Sequence, residues 1–185
     1  MMKKQAHLRS MRSRPKQGGN ALVFTLLALV VGGVLVAVGI SQYTDAERSA
    51  SIGSVVAEVA ATIGNAKSND GQIGYVGLTT PIAVAGGTIP RNRATSGTAA
   101  TNKFSGSITL VDNNSSTVGT AVLTYTNVDA DQCKEIVMGT QSLARQVQVN
   151  GTDVKPLDGK VIPGTLATQC NSAATASIAW IIGRT

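Results

Sequence analysis

The hydrophobic and polar positions of this chain change their period as the chain runs on. Residues 21–40 carry no charge and are apolar on every side. As a helix rising 1.5 Å per residue, such a run just crosses about 30 Å of hydrocarbon. From residue 41 the chain turns polar without meeting a proline. Ile52, Val55, Val56, Val59 and Ile63 then recur on one face of an amphipathic helix. Ala50, Ala57, Ala60 and Ala61 favour that helix, and Gly53 weakens it. It would stop at Gly64-Asn65 or at the cluster Ser68-Asn69-Asp70-Gly71. The pattern predicts one helix over residues 20–67, roughly 70 Å long. Its part at 20–40 is apolar all round, and its part at 41–67 carries a single stripe.

Residues 68–105 are rich in Gly, Thr, Ser and Asn and are punctuated by Pro81, Gly86-Gly87 and Pro90. They predict a long irregular connection with a short strand at 82–85. A period of two begins next. Ile108 and Leu110 alternate with Ser107 and Thr109 over 106–111, and Val122, Leu123 and Tyr125 mark a strand at 121–126. The turn residues 112–116 make the two a hairpin. Residues 129–142 return to helical spacing, with Cys133, Ile136 and Val137 on one side and Asp129 as N-cap. Residues 146–149 alternate, and Asn150-Gly151 is a two-residue hairpin signal into 153–155. The apolar run at 177–182, with Trp180, suits a central strand. The fold class is therefore α+β: a long N-terminal helix whose striped half packs on an antiparallel sheet. The domain of 106–185 carries that sheet.

Charge matters mainly at the start of the chain. The formal charge is +6, from 16 basic and 10 acidic residues. Six of the basic ones, Lys3, Lys4, Arg9, Arg12, Arg14 and Lys16, lie in residues 1–19, which hold no acid. The remaining ten equal the acids, so the rest of the chain is formally neutral. No basic cluster follows residue 20, which leaves nucleic-acid binding without a footprint. Beside an apolar span, the basic leader instead reads as a cytoplasmic anchor with the C-terminal part on the far side.

Catalytic chemistry finds no constellation. The only histidine is His7, so no Ser/His or Cys/His pair can form in the domain, and a metal site there is short of ligands. Asp129 and Asp131 read as capping residues of a helix start. Asn114-Ser115-Ser116 and Asn150-Gly151-Thr152 match the glycosylation pattern but sit where turns are expected, and Trp180, Tyr125 and Phe24 read as packing residues. No cofactor is expected. Two cysteines, Cys133 and Cys170, lie in the exported part. An even count in an oxidising compartment points to a disulfide closing a loop of about 38 residues, worth roughly 4 kcal/mol. Two buried thiols are the alternative.

Three readings compete for the apolar run. A cleaved secretory signal would use Ala37-Val38-Gly39 as its cutting site, but the run is long for that class. A plain membrane anchor fits the length. The third reading is an anchor that is also an assembly helix. It is favoured by Lys16-Gln17-Gly18-Gly19, a small-residue junction that precedes the run instead of following it. Ala28 and Gly32, then Gly33 and Ala37, add small-xxx-small pairs that let helices approach closely.

The leader, the Gly18-Gly19 junction and the long helix together resemble type IV prepilins, and within them type IVb major pilins of the kind found in thin pili of conjugative elements. The stretches Gly74-Tyr75-Val76-Gly77-Leu78, Val147-Gln148-Val149-Asn150-Gly151 and Thr168-Gln169-Cys170-Asn171 share the resemblance, as does the pair Cys133 and Cys170. The resemblance implies a pilin fold and a structural subunit rather than an enzyme. It implies cutting by a prepilin peptidase between Gly19 and Asn20, and methylation of the new Asn20 amine. It implies packing of Phe24, Ala28, Gly32, Gly33 and Ala37 in a helical homopolymer, with Cys133 and Cys170 bracketing a variable C-terminal region. Its implied partners are other copies, an assembly ATPase, an inner-membrane platform and an outer-membrane secretin. The precursor would lie in the inner membrane and the product in an extracellular pilus used for adhesion, motility or cell contact. A minor pilin, a secretion pseudopilin and a non-polymerising anchored domain are the alternatives. Two residues depart from the family pattern. Phe24 is fifth after the cut, where most pilins carry Glu, and Asn20 is an unusual first residue. A cut between Gly18 and Gly19 would place Val23 fifth.

Overall fold

The computed structural model describes residues 46–69, 74–113 and 119–183. Those from Arg48 onward form one unit.

The striped segment is helical over 46–68 (α1). It buries Val55, Val59, Ile63 and Ala66. Each large aliphatic side chain hidden this way contributes about 1.5–3 kcal/mol. Ile52 packs partly against the same core. Val56 turns sideways, toward Gly139 of a second helix, where an added Cβ would lie 2.9 Å from the valine methyl. Gly64-Asn65 does not stop α1. The helix ends in the next cluster, where the Asn69 amide and the Ser68 hydroxyl both donate to the Asn65 carbonyl.

The connection after α1 is more ordered than its composition suggests. The stretch expected as a strand at 82–85 is a helix, α2 (Thr80–Ala85), which buries Ala83 and Val84. Pro81 sits in its first turn, where a missing N–H costs nothing. The Gly86-Gly87 pair ends it, with Gly87 at φ 71 and its amide on the Val84 carbonyl. A 3-10 turn (Arg91–Arg93) and a two-residue strand, β1 (Ala100–Thr101), follow. Buried Asn102 then organises the approach to the sheet. Its side-chain nitrogen donates to the Thr126 carbonyl at 2.7 Å, and its oxygen accepts from the amides of Phe104 and Gly106.

The sheet has six strands in the order β1-β2-β3-β6-β4-β5, and every pairing is antiparallel. The hairpin expected at its start is β2 (Ser107–Asp112) with β3 (Thr120–Asp129). β4 (Gln146–Val149) and β5 (Thr152–Lys155) form the second hairpin, turning through Asn150 at φ 51 and Gly151 at φ 79. Two successive positive φ values give the turn the twist that antiparallel strands need. β6 (Thr175–Gly183) lies between β3 and β4, the central place its apolar run suggests. Ile108, Leu110, Leu123, Tyr125, Val147, Val149, Ile178 and Trp180 are all buried, and they form one core with the α1 stripe. The edge is partly covered where β2 extends past the short β1, and again at β5. The amides of Leu110 and Asp112 bond to the Thr80 hydroxyl and the Leu78 carbonyl, and the Ile162 amide bonds to the Val154 carbonyl. Such covering keeps edge strands from pairing with other chains.

Helix α3 (Ala130–Thr140) leaves β3 with Asp129 at its N-cap position, but the Asp129 side chain makes no cap bond. The capping role expected of it is therefore absent. A further helix, α4 (Pro163–Cys170), which periodicity does not announce, begins on Pro163 and buries Leu166 and Cys170. Among the described residues no helix is long and apolar enough to cross a membrane.

Gly106 passes so close to β3 that an added Cβ would lie 1.9 Å from the Thr126 carbonyl oxygen. That atom is backbone and cannot swing away. Gly106→Ala is expected to destabilise the domain by at least about 2 kcal/mol, read as a lowered urea midpoint. Gly97→Ala, where an added Cβ meets nothing within 4 Å, should leave the midpoint unchanged.

Candidate functional site

Two arrangements stand out: the seat of α1 on the sheet, and the region closed by the cysteines. The first contains a carboxylate where the stripe alone would put only carbon. Glu58 lies between Val55 and Val59 on α1, with 9% of its side chain exposed. One carboxylate oxygen accepts from the Tyr125 hydroxyl of β3 at 2.8 Å, and the other from Arg93 Nε of the 3-10 turn at 2.6 Å. Tyr125 is fully buried and meets Trp180 edge-on, with ring centroids 5.5 Å apart. Burial first, and the neighbouring Glu58 charge second, push the Tyr125 hydroxyl far above the ordinary tyrosine range. Trp180 in turn donates its ring N–H to Thr140 of α3 at 2.9 Å. Toward its start, α1 is tied to α3 by Arg48, 3.3 Å from Asp131 and 3.8 Å from Glu135. Asp131, expected as a capping residue, serves this ion pair instead.

The far end of α1 meets the loop between α3 and β4. Lys67 donates to the Leu143 carbonyl at 2.9 Å, and Lys155 of β5 donates to the Ala144 carbonyl. Arg145 grips Asp158 through two parallel bonds of 3.0 and 2.5 Å. This hydrogen bonding lowers the Asp158 pKa and raises that of Arg145, while burial lowers that of Lys155. Two lysines thus fix the consecutive carbonyls of Leu143 and Ala144 next to the negative end of α3, and Arg145 beside them is held by Asp158.

Cys133 of α3 and Cys170 of α4 form a disulfide with Cα atoms 5.6 Å apart. Both are buried. Between them the chain supplies most of α3, the β4–β5 hairpin and α4. Asn150, at the tip of that hairpin, belongs to a turn as expected. Its side-chain nitrogen donates to the Gln169 carbonyl and the Ser172 hydroxyl, both at 3.0 Å, and its oxygen accepts from the Ser177 amide at 2.9 Å. On the opposite side of the sheet order, a cleft of about 250 Å³ is lined by Ala66, Asn69, Tyr75, Leu78 and Thr88, with exposed Val76 and Ile82 also on its wall. Among the described residues no group of three or more His, Cys, Asp or Glu side chains could hold a metal ion.

A family model described as PilS N terminal matches residues 49–183. The chain belongs to the PilS N-terminal family. The PilS domain is similar in three dimensions to the crystal structure of a type IV b pilin from Salmonella typhi, with a TM-score of 0.55 and 16% identity. That match covers 71% of this chain and 99% of the other. TcpA, a type IV pilin from the El Tor biotype of Vibrio cholerae, matches with a TM-score of 0.43 and 13% identity, over 68% and 97% of the two chains. No curated protein matches the chain in sequence. The type IVb resemblance read from the sequence therefore holds, and the fold is the α+β pilin fold.

Of the site residues expected from the sequence, Cys133 and Cys170 are brought together. Gly19, Asn20, Phe24, Ala28, Gly32, Gly33 and Ala37 lie outside the described residues, as do residues 114–116 with the first glycosylation pattern. The sequence reading missed Glu58, Arg93, Asn102, Lys67 and Lys155. Glu58 did leave a signal, because an acid between two stripe positions must find a partner when the stripe is buried.

Two measurements check this geometry. A tyrosine whose pKa is raised by folding contributes stability below the unfolded value of about 10, and that contribution is lost as pH rises beyond it. Unfolding midpoints of the wild type should therefore fall above about pH 10 more steeply than those of Tyr125→Phe. At neutral pH the variant should be weaker by about 1.5–3 kcal/mol, since it loses a hydrogen bond to a charged group. Reducing the Cys133–Cys170 bond should lower stability by about 2–5 kcal/mol, seen as a shift of the urea midpoint on adding reductant.

Proposed function

We propose that this PilS family member is the structural subunit of a type IV pilus. It is made as a membrane-held precursor, cut between Gly19 and Asn20, methylated on the Asn20 amine, and polymerised through its N-terminal helix. The observation that carries the proposal is the position of the family match, which begins at residue 49. Directly before it lie the uncharged run at 21–40 and the Gly18-Gly19 junction.

Physical chemistry gives the order of events. A helix apolar on all sides can leave lipid only when other apolar protein surface replaces it. Equivalent helices of neighbouring copies supply that surface, and head-to-tail contacts that do not close generate an open helical polymer. Ala28, Gly32, Gly33 and Ala37 would permit close approach, and Phe24 would pack in the filament core. Phe24 also removes the carboxylate that most pilins place fifth, so subunit register would rest on packing rather than on pairing with the incoming amine. The folded domain would ride outside this core, with adhesion, motility or cell contact in conjugation as the uses of the fibre. The partners are those of pilus assembly: the prepilin peptidase, an ATPase, an inner-membrane platform and a secretin.

Mass determination on filaments sheared from the cell surface tests this reading. The expected N-terminus is a methylated Asn20 with the apolar helix retained. A chain starting at Ile40 or beyond, or one recovered only as a soluble monomer, would overturn it.

A further inference from the structure

Asn150-Gly151 is the only Asn-Gly dipeptide in the chain. Asparagine is a thermolabile residue, and a following glycine leaves its neighbouring backbone nitrogen least shielded. We infer that Asn150 is a spontaneous modification site whose co-reactant is water, and that the C-terminal end of α4 holds it shut.

The chemistry is a deamidation. The Gly151 backbone nitrogen, deprotonated by hydroxide, attacks the side-chain carbonyl carbon of Asn150. A carbon–nitrogen bond closes a five-membered imide, and the side-chain nitrogen leaves as ammonia. Water then opens the ring at either carbonyl, giving aspartate or isoaspartate. One water is consumed, one ammonia is released, and nothing is oxidised or reduced.

The fold opposes the first step at several points. Attack requires the carboxamide to rotate over the Gly151 nitrogen. Here its oxygen is held by the Ser177 amide at 2.9 Å. Its nitrogen is held by the Gln169 carbonyl and the Ser172 hydroxyl at 3.0 Å each. The Asn150 backbone amide is pinned as well, to the Ser177 carbonyl at 2.8 Å. Gln169 and Ser172 flank Cys170, whose disulfide anchors this end of α4 to α3. Both turn residues are exposed, so water reaches the site once the clamp opens. The product cannot remake the two bonds that the side-chain nitrogen donates. A carboxylate offers no donor to Gln169 and Ser172, and it stands at the negative end of α4. Each opening that ends in reaction is thus recorded irreversibly, as a new negative charge at the hairpin tip.

The test incubates the full-length chain at mildly alkaline pH and follows the Asn150 peptide by mass spectrometry and isoaspartate detection. The oxidised native chain is compared with the urea-unfolded chain, with a chain reduced under native conditions, and with oxidised Ser172→Ala. The unfolded chain should react at least about tenfold faster than the oxidised native one, and the reduced and Ser172→Ala chains should fall between them. Equal rates in the native and unfolded chains would overturn the clamp. So would a Ser172→Ala chain reacting no faster than wild type. Trp180 fluorescence reports whether the reduced chain stays folded. If it does and its rate equals the oxidised rate, the anchoring by the disulfide is wrong. If it does not, Ser172→Ala decides.

Discussion

A carboxylate inside an apolar stripe decides how the first helix can lie. Glu58 faces the sheet with the valines beside it, and its two oxygens are taken by Tyr125 and Arg93. A buried charge without partners costs several kcal/mol, so α1 cannot slide or rotate along the sheet without breaking this arrangement. The valines supply affinity and accept many positions. The acid accepts one. Because Arg93 belongs to the connection after α2, the same pairing also holds that connection against the helix.

From this seat the constraint spreads through polar bonds in the core. Tyr125 meets Trp180 on the central strand, and Trp180 donates to Thr140 of α3. The disulfide carries the chain of contacts on to α4, and Asn150 carries it to the second hairpin. At the other end of α1, Lys67 reaches the loop that leaves α3. Helix, sheet and C-terminal region are therefore cross-braced at both ends of α1.

The parts of this fold that were legible in the sequence share one property: their pattern repeats within a short window. The α1 stripe, the alternation in β2 and β4, and the Asn150-Gly151 turn are all of this kind. Boundaries moved by a few residues because pairing with neighbours extends a strand beyond its apolar run, as in β3 and β6. Short helices were not legible. α2 and α4 contribute only two buried residues each, and at that length a helix stretch with Ile82 and Val84 looks like a strand. Their real signal is a proline at the start, with a Gly-Gly stop in α2, and around α2 the same punctuation also reads as loop. The cysteine pair was legible from its count. The contacts of Glu58 and Lys67 and the Asn102 bond to Thr126 were not, because their partners lie 24 to 76 residues away.

The position of β6 bears on how the domain is born. Residues 175–183 fill the gap between β3 and β4, so the two hairpins have no shared sheet until that last strand arrives. Pairings of such long sequence separation form slowly. A chain made N-terminus first would stay unzipped down its middle until residue 183 was in place, presenting two raw strand edges to its surroundings. The sheet of this domain therefore stays half made until its final strand drops in like a keystone.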